Sequence, residues 1–150
     1  MVRIWPVLLG VLMCACVSAN EPSQGSQLPK IRPIGKGGFS GFQEPAQIVV
    51  TNSTQWAELW RKHSAKQIPA KPAPEVNFDK ESVLFVSLGQ KRSGGYSVEI
   101  TGLEQTAGKA KVLVKTQAPK PGGMQLQAIT SPFHIVAVPR LTGPVSFNVQ

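Results

Sequence analysis

Residues 82–101, SVLFVSLGQKRSGGYSVEIT, contain two apolar segments of different periodicity, joined by a short connection that contains glycine. The first segment, 83–88, is an almost unbroken apolar run, which is typical of a central strand buried on both faces. The second, 94–101, alternates between apolar and polar residues from Tyr96 onward. The stretch therefore predicts two β-strands with a loop between them.

Other short segments on both sides of this stretch also have strand character. They lie at residues 47–51, 109–115, 124–128, 133–138 and 145–149, with Gly and Pro residues between most of them. Connections this short leave no room for crossover helices, so we expect mainly antiparallel pairing. The pattern predicts a mainly β fold, an antiparallel sheet or sandwich with one packed helix.

The single helix is expected near residues 54–63. Trp56, Leu59, Trp60 and His63 follow the spacing of one helical face, and either Ser53 or Thr54 is expected to cap the N-terminus. The two tryptophans are interpreted as core anchors that dock the helix on the sheet. His63, in the last turn, is interpreted as a surface residue.

Residues 1–19 have the three parts of a secretory signal. A positive charge at Arg3 precedes an uncharged apolar segment, and small residues lead up to Ala19. Cleavage after Ala19 would release the protein into the periplasm, whereas lipidation of Cys16 would anchor it in the cell envelope. Both routes stay open. Both cysteines of the chain lie within this segment, so the sequence predicts neither a disulfide nor a cysteine metal site after it.

The rest of the chain divides into a polar segment and one domain. Residues 20–45 are rich in Pro, Gly, Ser and Gln and are expected to form a flexible exported linker. Residues 46–150 are expected to form a single β domain, because a chain of about this length can bury one core but not two.

The net charge of +8 raises the question of nucleic-acid binding. The basic residues are scattered, however, and the few aromatic residues are not interleaved with them as a base-stacking surface requires. The composition favours a basic surface facing an anionic envelope, with no nucleic-acid partner.

Residues able to perform acid–base or nucleophilic chemistry are few. Asp79 is the only aspartate, and His63 and His134 are the only histidines. A Ser-His-Asp arrangement of Asp79 with His134 stays open, but no Gly-x-Ser-x-Gly nucleophile elbow occurs. We interpret His134 as a strand residue whose ring finds a hydrogen-bond partner. The sequence predicts no enzymatic activity, no metal site and no cofactor.

The loop within the opening stretch is the candidate site for binding a protein partner. It consists of Lys91, Arg92, Ser93, Gly94, Gly95 and Tyr96. Binding residues favour loops on rigid scaffolds, although a purely structural hairpin loop would have a similar composition. A second loop, 119–123, is stiffened by proline at one end and permissive at the other, and it is a candidate neighbour.

Several motifs together resemble the PrcB C-terminal domain family, which is named for a subunit of a bacterial surface protease complex. These motifs are the Ser-Gly-Gly-Tyr-Ser-Val segment at 93–98 after an apolar strand, the Ser-Pro-Phe-His-Ile-Val segment at 131–136, and the upstream helix that begins at 54. Ser93 stands where the family commonly has Thr. The resemblance spans roughly residues 47–139 and makes the predicted domain PrcB-like.

The resemblance implies a non-catalytic accessory protein of the envelope, a subunit or partner of an exported protease complex. Two alternatives remain. The 91–96 loop is also similar to a loop of chagasin-type protease inhibitors, which insert loops into an active-site cleft. The protein could instead be a structural component of the envelope without a specific site.

Overall fold

The computed structural model describes residues 29–150, which form seven β-strands and one α-helix. In chain order these are β1 (Arg32–Gly37), β2 (Pro45–Val50), α1 (Ser53–Ser64), β3 (Glu81–Leu88), β4 (Ser97–Thr106), β5 (Lys109–Gln117), β6 (Phe133–Pro139) and β7 (Val145–Val149). The predicted signal segment 1–19, with Cys16 and Ala19, lies outside the described residues. Within 29–150, no helix has the length and apolar character needed to cross a bilayer.

Two sheets pack face to face and enclose the larger part of the core. The four-stranded sheet has the order β1-β6-β3-β2, and the three-stranded sheet has the order β4-β5-β7. Leu84 and Val136 of the first sheet meet Val98 and Val112 of the second in one buried apolar cluster. The predicted mainly β sandwich is confirmed, and burial of apolar surface between its sheets stabilises it.

The helix α1 packs on the other face of the four-stranded sheet. Trp56 and Leu59 of α1 are buried with Phe85 of β3 and Ile135 of β6. The four-stranded sheet is therefore covered on both sides. This arrangement explains the almost continuous apolar runs of β3 and β6, whose interior residues are all buried.

The predicted helix is confirmed, but its cap is not the predicted residue. The side chain of Asn52, rather than that of Ser53 or Thr54, accepts a hydrogen bond of 2.9 Å from the backbone N–H of Gln55. Asn52 has the extended backbone of an N-cap residue, with φ −147° and ψ 164°. The helix thus begins one residue earlier than the sequence suggested.

The prediction of a flexible linker over residues 20–45 is wrong for its C-terminal part. Arg32–Gly37 forms β1, which pairs antiparallel with β6 and has an irregularity between Pro33 and Gly35. An edge strand tolerates Pro and Gly because its outer backbone groups need no ladder partner. The domain therefore includes residues well before its predicted start at 46.

The predicted strand at 124–128 is also wrong. These residues belong to the 118–132 connection between β5 and β6, which contains no regular strand. The alternation of Met124, Leu126 and Ala128 matches a strand period. Nevertheless, Met124 and Leu126 point to solvent instead of into the core.

Pairing is mainly antiparallel, as predicted, with one exception. β7 runs parallel to β5, pairing Ala110 with Val145 through Val114 with Val149. The chain leaves β6 in one sheet and enters the other through residues 140–144, so β7 reaches β5 without a hairpin turn.

Candidate functional site

The predicted partner-binding loop, residues 91–96, connects β3 of the four-stranded sheet to β4 of the three-stranded sheet. Gly89 opens this connection with a φ of 68°, and a Cβ atom there would lie 2.6 Å from the carbonyl oxygen of Gln43. Only glycine fits that position. The N–H of Gln90 then donates to the same carbonyl at 2.7 Å, which fixes the start of the loop.

The loop is bonded to the 118–132 connection beside it. Lys91 and Thr130 exchange two backbone hydrogen bonds, of 2.7 and 2.9 Å. The Thr130 hydroxyl donates to the carbonyl of Ser93 at 2.9 Å, and the N–H of Gly94 donates to the carbonyl of Leu126 at 2.9 Å. The two segments therefore form one surface at one end of the sandwich, and we name it the two-loop surface (residues 89–96 and 118–132).

Gly95 marks the closest approach between the two segments. Its φ is 87°, and a Cβ atom at this position would lie 2.8 Å from the Cβ of Pro119. The predicted neighbouring loop, 119–123, thus does lie beside the candidate loop. Both constraints require glycine, so the fold alone explains why position 95 is a glycine, without any role in binding a partner.

The six predicted site residues are brought together, but their side chains are not equally available. Arg92 is exposed, whereas Lys91 and Tyr96 are half-buried. The ammonium group of Lys91 lies 5.4 Å from the centre of the Tyr96 ring, a cation–π arrangement that holds both side chains. Ser93 accepts the hydrogen bond of the Thr130 hydroxyl through its backbone carbonyl. Gly94 and Gly95 have no side chain and allow the close approach of the neighbouring segment.

Sequence reasoning missed the most exposed apolar side chains on this surface and beside it. The exposed fractions are 106% for Met124, 72% for Leu126, 63% for Ile129 and 66% for Phe39. Phe39 and Ile129 line a depression of about 170 Å³ together with Lys66 and Gln90. The Pro-Lys-Pro-Gly-Gly stretch at 119–123 could have indicated this exposure. Such a stretch is typical of an irregular loop and not of a hairpin between two regular strands.

The side chain of His134 connects the two sheets and has a structural role. Its buried ring accepts a hydrogen bond of 2.8 Å at Nδ1 from the backbone N–H of Ile100 in β4. Burial lowers the pKa of His134, and the positive charge of Lys36 lowers it further, while Glu99 opposes this shift. The interpretation of His134 as a strand residue with a hydrogen-bond partner is confirmed.

His63 is not the surface residue that the sequence suggested. Its side chain is only 2% exposed and packs between α1 and the four-stranded sheet, with its ring 4.3 Å from that of Phe133. Burial lowers the pKa of His63 to about 4. Its place on the apolar face of α1, one turn after Trp60, is the reason it lies inside.

The nitrogens of the His63 ring face two polar side chains. Nδ1 lies 3.0 Å from the hydroxyl of Ser40, and Nε2 lies 3.3 Å from the amide nitrogen of Gln67. A Ser–His pair can begin a nucleophilic arrangement. Here Ser40 is buried and its hydroxyl also accepts the N–H of Phe42 at 3.4 Å, so the pair connects the 38–44 segment to α1.

Asp79 and His134 are not brought together. Asp79 lies two residues before Glu81, the first residue of β3, which pairs with Pro139 at the end of β6. His134 stands near the opposite end of β6, opposite Val86. The Ser-His-Asp arrangement that the sequence left open therefore does not form with these residues.

Comparison with known proteins gives one match. A model of the PrcB C-terminal family matches residues 82–139, from β3 to the end of β6, including the two-loop surface. No curated protein and no solved structure matches the chain significantly. The family match includes the Ser-Gly-Gly-Tyr and Ser-Pro-Phe-His segments that suggested the resemblance. This match supports the resemblance to the PrcB C-terminal family over residues 82–139.

Proposed function

We propose that this protein is a non-catalytic binding protein of the cell envelope that associates with an exported protease complex. The observation that carries the proposal is the position of the two-loop surface, which lies wholly within the residues matched by the family. Backbone hydrogen bonds hold the two loops to each other and to the segment before β2. A preorganised surface of this kind loses little conformational entropy when it binds.

The proposal of a non-catalytic role is supported by how the two histidines are used. His134 holds β4 against β6, and His63 is enclosed between α1 and the sheet. A general base must reach a substrate proton, and neither ring is placed to do so. We further propose that the protein acts after export, either free in the periplasm or anchored through a lipid on Cys16.

The geometry favours a broad contact over insertion of a single loop. Chagasin-type inhibitors insert loops into an active-site cleft, which requires loops that project from the domain. Here residues 91–96 are flanked by the 118–132 connection, with Lys91 paired to Thr130 and Gly95 packed on Pro119. We therefore place partner binding on the combined two-loop surface and not on a projecting wedge.

The test is affinity capture of the full-length protein from its own envelope fraction, quantified by mass spectrometry. Arg92→Glu reverses the charge of the exposed side chain in the candidate loop. Lys109→Glu makes the same charge change at the β4–β5 turn, at the opposite end of β4. Both positions are exposed, so both variants should unfold at the wild-type temperature.

We expect a protease or its complex to be captured by the wild type and by Lys109→Glu, and to be lost or strongly reduced with Arg92→Glu. Equal capture by all three proteins would show that the candidate loop does not bind the partner. Capture that contains no protease component would overturn the association with a protease complex and favour a structural role.

A further inference from the structure

The exposed apolar side chains named above lie on the 118–132 connection and on the 38–44 segment bonded to it, and we call them the apolar patch (Phe39, Met124, Leu126 and Ile129). Phe39 and Ile129 line the same depression, and Leu126 is bonded through its carbonyl to the candidate loop. Large apolar side chains exposed together are uncommon on monomeric proteins and mark interaction sites. Met124, Leu126 and Ile129 lie on the two-loop surface and Phe39 lies beside it, so the patch offers that surface an apolar contact region.

The backbone beneath the apolar patch is held in place although it lacks regular strand structure. The N–H of Ser131 donates to the carbonyl of Gly38 at 2.7 Å, and the Ser131 hydroxyl donates to the carbonyl of Phe42 at 2.6 Å. With the Lys91–Thr130 bonds, these contacts fix the chain after Ile129, and the bond from the N–H of Gly94 to the carbonyl of Leu126 fixes the chain before it. The exposure of the apolar side chains is therefore a property of the folded domain.

The charges around the apolar patch are of one sign. Lys91, Arg92 and Lys120 lie in the two loops, and Lys66 lines the depression beside Phe39. Residues 89–98 and 118–132 contain no Asp or Glu. Glu44, whose backbone lies against Gly89, is an acidic residue on a contacting segment.

Elsewhere in the described domain, several charged side chains form ion pairs. Its three ion pairs join Arg32 to Glu81, Lys36 to Glu99 and Lys111 to Glu104. Within residues 29–150, none of the four cations around the apolar patch lies in such a pair. They are available for carboxylates of a partner.

We propose that the occupant of the apolar patch is an acidic segment of a protein partner that carries apolar side chains. Its apolar residues would cover Met124 and Leu126, one side chain would enter the depression between Phe39 and Ile129, and its carboxylates would face the surrounding cations. This proposal rests on the proposed function and names the chemistry of the partner. The depression favours a protein segment over a lipid surface, because it has the size for a single side chain.

The test uses three pools of short synthetic peptides and the full-length protein. One pool mixes acidic with apolar residues, the second replaces the acidic residues by lysine, and the third replaces the apolar residues by serine. Binding is measured by fluorescence anisotropy at low and high salt. The protein is compared with a Met124→Ser/Leu126→Ser variant and with Ile68→Ser, which changes an apolar side chain that is 98% exposed and outside the patch.

We expect only the acidic–apolar pool to bind, with affinity that falls as salt rises. The double variant should bind about tenfold more weakly and Ile68→Ser as the wild type does. Equal binding of the acidic and basic pools, or unchanged binding by the double variant, would overturn the proposal. Binding of the wild type to phosphatidylglycerol vesicles, but to no peptide pool, would assign the apolar patch to a lipid surface instead.

The outcomes separate this proposal from the proposed function. If Arg92→Glu abolishes capture of a protease while no peptide pool binds, the protein still associates with the complex, and the proposed partner chemistry is wrong. If the acidic–apolar pool binds while no protease is captured, the apolar patch has the proposed chemistry and the association with a protease complex is wrong.

Discussion

The Nδ1 atom of His134 in β6 lies 2.8 Å from the backbone nitrogen of Ile100 in β4, and this hydrogen bond joins the two sheets through their shared core. The bond falls where the β4–β5 pairing shifts register, between Ile100 and Gly102. At such an irregularity a strand loses a ladder partner. The histidine side chain supplies a partner to an N–H that would otherwise be buried without one.

Replacing His134 should therefore cost stability and not partner binding. His134→Leu leaves the buried N–H of Ile100 unsatisfied, for which we expect a loss of about 1–3 kcal/mol in the free energy of unfolding. Urea denaturation measures this loss, and the capture experiment measures binding. A His134→Leu protein as stable as the wild type would show that the hydrogen bond does not contribute. Loss of capture without loss of stability would point to a direct role for the ring.

Acid should destabilise the protein through His63. The pKa of His63 is about 4 in the folded protein and about 6.5 in an unfolded chain. Above the unfolded value neither state is protonated. As the pH falls from about 6.5 towards 4, the unfolded chain takes up a proton that the folded protein does not, so the free energy of unfolding falls by about 3 kcal/mol.

The lowered pKa of His134 adds to this acid sensitivity in the same direction. The exposed pairs of Glu81 and Glu99, whose carboxyl pKa values are also lowered, lose their contribution only at lower pH, below the usual range of a carboxyl group. The measurement is urea denaturation at several pH values between 7 and 4. His63→Gln should flatten the dependence between pH 6.5 and 5. An unchanged slope in that variant would assign the acid sensitivity to other groups.

The sequence predicted the elements whose side chains are buried. β3 and β6 are recognisable because the sheet they share is covered by α1 on one side and by the three-stranded sheet on the other. Burial on both faces leaves a continuous apolar run in the sequence. The α1 face was recognisable for the same reason, through Trp56 and Leu59.

The elements that the sequence did not predict are held by backbone contacts. β1 buries little side-chain surface and is fixed by its pairing with β6, which composition cannot reveal. The 118–132 connection has the alternation of a strand, but its bonds go to Gly94, Lys91 and Gly38, far away in sequence. The candidate loop was recognisable from its glycines. The exposure of Met124 and Leu126 could not be recognised from the sequence, because it depends on these long-range bonds.

Gly95→Ala should destabilise the domain, because alanine would need a positive φ and its Cβ atom would meet Pro119. We expect a loss of about 1–3 kcal/mol. Gly38→Ala is the matched control, since no atom lies within 4 Å of a Cβ atom at that position. Thermal unfolding of both variants makes the comparison. Equal, small effects would show that the loop relaxes easily.

This expectation also decides which variants can test partner binding. A bulky substitution at Gly95 would displace the loop from Pro119 and would confuse loss of contact with loss of structure. Arg92 is exposed and makes no contact that the fold requires, so charge reversal there isolates binding.

The cap of α1 provides a test of the corrected helix boundary. Asn52→Ala removes the acceptor for the N–H of Gln55, and we expect it to lower the free energy of unfolding by about 1 kcal/mol. Thr54→Ala changes an exposed residue in the first turn and should lower the free energy of unfolding by at most about 0.3 kcal/mol. Urea denaturation of the two variants decides between the positions. If Thr54→Ala proves the more costly, the helix is capped by Thr54, one of the two residues that the sequence suggested, and not by the side chain of Asn52.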